Sequence, residues 1–98
     1  MIKVSVLYPN ADGVTFDIDY YCATHLPLAQ SLIGAPLKGV SAELGIPGQG
    51  PYIAMGHLLF ESVEDFQAAL AAHGPALLAD IPNYTNTRPI FQVGEIKL

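Results

Sequence analysis

Residues 52–60, YIAMGHLLF, form an almost unbroken apolar run that ends just before a group of helix-capping residues. A strand with one face in water alternates apolar and polar side chains, and this stretch does not alternate cleanly. The segment from about Pro89 to Lys97 shows the same lack of alternation. Both stretches therefore predict strands of a sheet that is covered on its two faces.

The chain that follows residues 52–60 predicts the second helix. Ser62-Val63-Glu64-Asp65 resembles a capping box with Asp in place of Glu, which indicates that the helix begins at Val63. Gly74-Pro75 predicts its end, with a further short turn of helix over residues 76–80. His73 would then lie in the last turn, where a cation favours the helix dipole.

The chain that precedes residues 52–60 predicts two strands and the first helix. Residues 2–8 alternate as a half-buried strand does, and residues 37–46 have β character. Asp17 is a suitable N-cap for the first helix, and Gly34 is a suitable stop. At 100° per residue, the inward stripe of this helix contains Ile18, Tyr21, Cys22, His25, Leu28, Ala29, Leu32 and Ile33.

The helical period predicts opposite positions for Pro27 and Cys22 of the first helix. Pro27 falls on the outward face of the predicted helix, where a kink and a lost hydrogen bond cost least. Cys22 lies on the predicted inward stripe without a basic neighbour in sequence, so we interpret it as a small core residue.

The order of the predicted elements is β-α-β-β-α-β, which indicates an α+β, ferredoxin-like fold with a four-stranded antiparallel sheet. Right-handed crossovers place both helices on one face of that sheet. The length of 98 residues fits a single domain over residues 1–98. Because two helices cover only one face, we expect a second copy to cover the other face in a homodimer.

Composition supports an interface and excludes several classes of protein. The chain is 51% hydrophobic and only 13% charged, which is more apolar surface than a small monomer hides easily. No run approaches the 18 apolar residues of a membrane span, and the start of the chain is too short and too polar for a signal peptide. A net charge of −5 with four scattered Lys and Arg excludes a nucleic-acid surface. One cysteine excludes an internal disulfide and predicts a cytoplasmic protein.

His25 is the first candidate for chemistry, because the helical period places it inward, one turn after Tyr21. An imidazole among apolar neighbours must find hydrogen-bond partners. His25 is therefore a candidate general acid/base with Tyr21 beside it, a candidate haem ligand, or a core histidine bonded to a backbone carbonyl.

Other residues are candidates for binding a ligand. His57 lies beside Gly56, and glycine in a strand often marks a close approach, although a structural role fits His57 equally. Tyr8, Tyr20, Tyr52 and Tyr84 are candidates for lining a pocket or an interface. No metal-ligand cluster and no nucleotide-binding motif occurs, so we expect neither a metal nor a cofactor.

Several blocks of the sequence resemble the EthD family, which is named for ethyl tert-butyl ether degradation. The blocks are Tyr8-Pro9, Phe16-Asp17, Tyr20-Tyr21, His25-Leu26-Pro27-Leu28, Gly56-His57-Leu58-Leu59-Phe60 and Ala79-Asp80-Ile81-Pro82-Asn83-Tyr84-Thr85. The resemblance implies a dimeric α+β barrel, in which two ferredoxin-like sheets pack face to face. Its wider superfamily includes isomerases, cyclases, monooxygenases and haem-degrading enzymes, so the fold alone does not define the chemistry. The family name implies an association with oxidoreductases of ether degradation.

Three functions remain open from the sequence. The first is cofactor-free acid/base chemistry on a small apolar organic molecule, in a pocket between the first helix and the sheet. The second is a non-catalytic protein that holds a hydrophobic intermediate. The third is haem-dependent chemistry with His25 as the axial ligand.

Overall fold

The computed structural model describes all 98 residues and shows the element order β-α-β-β-α-β. The strands are β1 (Ile2–Pro9), β2 (Gly39–Leu44), β3 (Tyr52–Phe60) and β4 (Ile90–Glu95). Helix α1 comprises Ile18–Tyr20, a π-helical turn Tyr21–His25 and Leu26–Ile33; helix α2 is Val63–Asp80, followed by a 3₁₀ turn, Ile81–Asn83. This arrangement confirms the α+β, ferredoxin-like prediction.

The sheet has the strand order β2-β3-β1-β4, and every neighbouring pair is antiparallel. The alternation predicted for β1 is observed, because its even-numbered residues are buried towards the helices: Ile2, Val4, Val6 and Tyr8. β3 has its predicted bounds, while β2 and β4 are shorter than predicted at both ends.

Helix α2 does not end at Gly74-Pro75, so that prediction is wrong. The helix continues to Asp80 with Pro75 on its exposed side. An interior proline costs about 3 kcal/mol, and packing of the apolar residues on either side, including half-buried Leu77, offsets this. His73 consequently lies within the helix and not in its last turn, which also corrects its interpretation as a C-terminal cap. The continuation of the helix brings Asp80 close to His25 of α1.

Helix α1 contains a π-helical turn that the 3.6-residue period does not predict. The N–H of Leu26 donates to the carbonyl of Tyr21, which closes a turn that is one residue wider than an α-turn. The extra residue rotates the buried stripe, so that Cys22 is exposed and Leu26 is buried. The interpretation of Cys22 as a core residue is therefore wrong. Tyr21 and His25 are both buried, as predicted.

Within one chain, the helices cover one face of β1 and β3 and leave the other face of the sheet uncovered. Half-buried Leu7, Met55 and Leu59 lie on the outward face. Strand β4 is exposed on both faces, with Ile90 51% and Phe91 49% accessible. No helix of the protein is long and apolar enough to cross a membrane.

Gly56 on β3 lies directly beneath Tyr21. A Cβ placed on Gly56 would collide with the Tyr21 hydroxyl, and Gly56 is buried on the helix-bearing face. The glycine therefore permits α1 to approach the sheet at this point, where Tyr21 carries His25 one turn further along the helix.

We expect Gly56→Ala to destabilise the fold by about 1–3 kcal/mol, because the added methyl group overpacks a filled site. Each kcal/mol corresponds to a melting temperature about 4–8 °C lower for a domain of this size. Gly94→Ala on β4 is the matched control, since a Cβ there meets nothing within 4 Å. Equal melting temperatures for the two variants in a thermal scan would contradict the close contact between Tyr21 and Gly56.

Candidate active site

An apolar cavity of about 80 Å³ lies between the two helices and the sheet. It is lined by 19 residues, of which 17 are hydrophobic. His25 reaches its wall from α1, while Tyr8 of β1 and Tyr84 from the segment before β4 reach the same region. The cavity is therefore an apolar space with a small set of polar groups, which is the usual composition of a small-molecule site.

Asp80 holds one side of the His25 ring. Its Oδ2 lies 2.9 Å from Nδ1 of His25, and its Oδ1 accepts hydrogen bonds from the Tyr20 hydroxyl at 2.7 Å and from Asn83 Nδ2 at 2.9 Å. A carboxylate only accepts hydrogen bonds, so the His25 ring donates from Nδ1. This leaves Nε2 of the neutral ring as an acceptor.

Two tyrosine hydroxyls continue this chain from the other nitrogen. The Tyr84 hydroxyl lies 3.4 Å from Nε2 of His25, and the Tyr8 hydroxyl lies 2.8 Å from that of Tyr84. With Nε2 as acceptor, Tyr84 donates to His25 and Tyr8 donates to Tyr84. A directed chain of hydrogen bonds thus runs from Tyr8 through Tyr84 and His25 to Asp80.

Aromatic packing fixes the orientation of this chain. The rings of Tyr21 and His25 stack with centroids 5.3 Å apart and planes 16° apart, because the π-turn places them on one face of α1. The Tyr84 centroid lies 4.7 Å from that of His25. The backbone N–H of Asp17 donates to the Tyr84 carbonyl at 2.7 Å, and Phe16 pairs with Thr85 in a β-bridge. The start of α1 and the segment after α2 are therefore tied together at the site.

Burial and hydrogen bonding separate the proton affinities of these groups. Burial raises the pKa of Tyr8, Tyr21 and Tyr84, so all three remain neutral donors across the physiological range. Partial burial acts to raise the pKa of Asp80, but hydrogen bonds from Asn83, His25 and Tyr20 together hold it below its usual range. Asp80 is thus a fixed anion that accepts a hydrogen bond from the His25 ring.

The structure brings five of the seven predicted site residues together, Tyr20 through its hydrogen bond to Asp80, and separates two from them. Tyr8, Tyr21, His25 and Tyr84 all line the cavity. Tyr52 lies at the start of β3 and is not among the lining residues.

His57 lies on the opposite face of the sheet from the cavity. Its Nδ1 is 3.0 Å from Ser5 Oγ and its Nε2 is 3.1 Å from Glu43 Oε1. The close approach that Gly56 permits is made by Tyr21, on the helix-bearing face. Because successive residues of a strand point to opposite faces, His57 points away from the cavity.

Asp80 is the member of the site that the sequence analysis did not single out. With a helix break predicted at Gly74-Pro75, the position of Asp80 relative to α1 does not follow from the sequence, although Asp80 belongs to one of the blocks that resemble the EthD family. Helical spacing placed Tyr20 outside the inward stripe, and its half-buried ring nevertheless reaches Asp80. The two residues are 60 positions apart, so no local pattern connects them. No group of three or more His, Cys, Asp or Glu side chains is arranged to hold a metal ion.

Comparison with known proteins identifies relatives along most of the chain. The sequence profile of the EthD domain matches residues 14–88, which include Tyr21, His25, Asp80 and Tyr84. The crystal structure of an EthD-like protein from Ralstonia eutropha JMP134 is 35% identical, with a TM-score of 0.87 over 99% of this chain and 92% of that chain. No protein of curated function matches the chain.

More distant structures share the fold. An ethyl tert-butyl ether degradation (EthD) family protein from Bacillus halodurans C-125 is 20% identical, with a TM-score of 0.65 and coverage of 99% of both chains. A protein from Thermobifida fusca YX, described as a dimeric ferredoxin-like protein of unknown function, is 18% identical. Its TM-score is 0.68, and the match covers 97% of this chain and 90% of that one.

Proposed function

The chain belongs to the EthD family, and from this we propose that it is an enzyme of cofactor-free acid/base chemistry, acting on a compact apolar organic molecule in the His25 cavity. The observation that supports this proposal most is the Asp80–His25–Tyr84–Tyr8 hydrogen-bond chain at the wall of an otherwise apolar space. A base oriented by a carboxylate, beside a neutral hydroxyl donor, is the arrangement that proton transfer requires.

The roles of the residues follow from their hydrogen bonds. Nε2 of His25 takes a proton from the carbon next to a carbonyl group of the ligand, and Asp80 stabilises the imidazolium that forms. The electron pair left on carbon moves to the carbonyl oxygen, to which Tyr84 donates a hydrogen bond. The Tyr84–His25 contact of 3.4 Å is near the limit of a hydrogen bond, so little is lost when Tyr84 turns to the ligand. Where a carbon–carbon double bond is conjugated with this enolate, returning the proton to the far carbon of that double bond moves the double bond and completes an isomerisation.

The size of the cavity restricts the ligand. Its volume of about 80 Å³ is roughly half of the 150 Å³ of an engineered cavity that binds benzene. Drug-sized ligands occupy pockets of about 300–1,000 Å³. A small ring or short chain fits this range, whereas a haem on His25 does not, so the geometry does not favour the haem alternative.

One observation favours a binding protein as the second candidate. Both ring nitrogens of His25 already have partners inside the protein, and no buried side-chain polar atom lacks a hydrogen bond. A protein that only holds a hydrophobic intermediate does not need a ring nitrogen of His25 that is free to bind the ligand. The experiment below separates the two functions. The association with oxidoreductases of ether degradation stays a prediction.

We also propose that the protein is a homodimer in the cytoplasm, with the outward sheet face as the interface. Exposed Ile90 of β4 and half-buried Leu7, Met55 and Leu59 make this face apolar, which supports the dimer. A solved structure of the same fold is also described as dimeric. Cys22 is an exposed free thiol, which suits a reducing compartment.

Light scattering at micromolar concentration tests the dimer. We expect about twice the chain mass of 10.4 kDa for the native protein. Ile90→Asp places a charge on the outward face and should give a folded monomer, whereas Gln67→Asp on the exposed side of α2 should not change the mass. If the native protein is monomeric, or if the Ile90→Asp variant has the mass of a dimer, this face is not the interface.

Exchange of carbon-bound hydrogen with D₂O tests the acid/base function without a known substrate. The protein is incubated with small cyclic ketones, enones and lactones, and deuterium uptake is measured by mass spectrometry. We expect uptake above the buffer rate for a compound that binds in the cavity. His25→Gln should lower the rate by about 10²–10⁴-fold, and Tyr84→Phe should lower it by about 10²-fold.

The control for these variants is His73→Gln, which makes the same change on α2 outside the cavity lining and should retain the native rate. Melting temperatures of all variants show whether each is folded. Native exchange in folded His25→Gln would remove His25 from the mechanism. Binding of the compounds without any exchange would favour the binding protein.

A further inference from the structure

A solvent-exposed groove of about 730 Å³ adjoins the His25 cavity. Three residues line both spaces: Leu78 at the end of α2, Ile81 in the 3₁₀ turn and Phe91 on β4. Leu78 and Phe91 are each about half accessible, at 51% and 49%. A side chain that lines the cavity and also meets solvent lies at an opening of the cavity, so the groove is an entrance to it.

The polar wall of this groove is the segment from Thr85 to Arg88, and most of its polar groups are already in use. Thr85 Oγ1 donates to the Thr15 carbonyl at 2.7 Å, and Asn86 Nδ2 donates to the Gly13 carbonyl at 2.9 Å. Thr87 Oγ1 donates to the Pro9 carbonyl at 2.9 Å. These bonds attach residues 85–87 to the end of β1 and to the chain between β1 and α1. The backbone that leads to Arg88 is therefore held in place.

Arg88 is the exception in that wall. It lines the groove, is exposed, and has no side-chain hydrogen bond and no carboxylate partner. The ion pairs of the chain are His25–Asp80, His57–Glu43 and Lys97–Glu95, so the guanidinium is not neutralised by the protein. No Lys lines either the cavity or the groove. In a chain of net charge −5, the entrance to the apolar cavity therefore carries an unpaired cation.

We propose that Arg88 binds the carboxylate of the ligand, so that the substrates are small apolar carboxylic acids with their ring or short chain in the His25 cavity. The proposal rests on the proposed function and names the class of molecule for that same site. A guanidinium has a planar fork of donors that matches the two oxygens of one carboxylate. The carboxylate stays in the solvent-exposed groove, and only the apolar part enters the apolar cavity, which avoids burying a charge.

Matched pairs of acid and alcohol test this assignment. The probes are cyclopropanecarboxylate with cyclopropylmethanol, and butyrate with 1-butanol, whose apolar parts are smaller than benzene, each titrated by NMR while the His25 ring signals are observed. We expect at least one acid to bind the native protein about tenfold more tightly than its alcohol at low ionic strength. Raising the salt concentration to about 0.5 M should reduce this preference, because the charge pair is exposed.

Arg88→Met should abolish the preference for the acid and leave the affinity of the alcohol unchanged. Lys38→Met is the matched control: it removes one positive charge from an exposed position that lines neither space and should retain the preference. Equal affinities for acid and alcohol in the native protein, or a preference that survives in Arg88→Met, would overturn the proposal.

The outcomes also separate this inference from the proposed function. Alcohols that shift the His25 signals, with no preference for acids, leave the cavity as the site and remove Arg88 from it. Acids that bind through Arg88 without exchange of carbon-bound hydrogen retain the carboxylate site and contradict the acid/base chemistry. If none of the four probes binds, the carboxylate proposal fails, and the exchange experiment with neutral carbonyl compounds decides the proposed function alone.

Discussion

The hydrogen bond between Asp80 and His25 is the interaction on which the arrangement of the site depends. It joins the last residue of α2 to the π-helical turn of α1, two points 55 residues apart. A hydrogen bond to a charged group contributes about 1.5–3 kcal/mol, and leaving either partner unsatisfied costs a comparable amount. Because Asp80 accepts from three side chains at once, it orients the His25 ring and connects it to Tyr20 and Asn83.

The same hydrogen bond explains why neutral tyrosines and an imidazole can share an apolar core. Asp80 fixes the proton of His25 on Nδ1, so Nε2 can accept from Tyr84, and Tyr84 can in turn accept from Tyr8. Reversing any one of these directions would leave a donor or an acceptor without a partner in a space lined by hydrophobic side chains. The chain is therefore satisfied in one orientation, in which Nε2 of His25 is an acceptor.

Local patterns predicted those parts of the structure that depend on local constraints. The alternation of β1, the bounds of β3 and the caps at Asp17 and Ser62 follow from side-chain period and backbone hydrogen bonding. The inward position of His25 also follows from the helical period. His25 lies one turn after Tyr21, and the π-turn keeps the two residues on the same face of α1. These features need no knowledge of distant contacts.

The features that the patterns missed depend on contacts between distant residues. Pro75 normally ends a helix, but packing on both sides of it keeps α2 intact, and only this continuation brings Asp80 to His25. The π-turn rotates Cys22 outward, and a fixed period of 3.6 residues cannot represent it. Arg88 had no local signal at all, since its position at the mouth of the cavity requires the fold of α2 and β4 around it.

The tautomer of His25 is the most direct test of the account, because every role assigned to the site assumes a proton on Nδ1. ¹⁵N NMR of the imidazole ring, at a pH where His25 is neutral, distinguishes the two nitrogens. We expect the Nδ1–H tautomer, with that proton protected from solvent exchange, and we expect Asp80→Asn to weaken the protection. A neutral ring protonated at Nε2 would contradict the hydrogen-bond chain and, with it, the role of His25 as the base that faces the cavity.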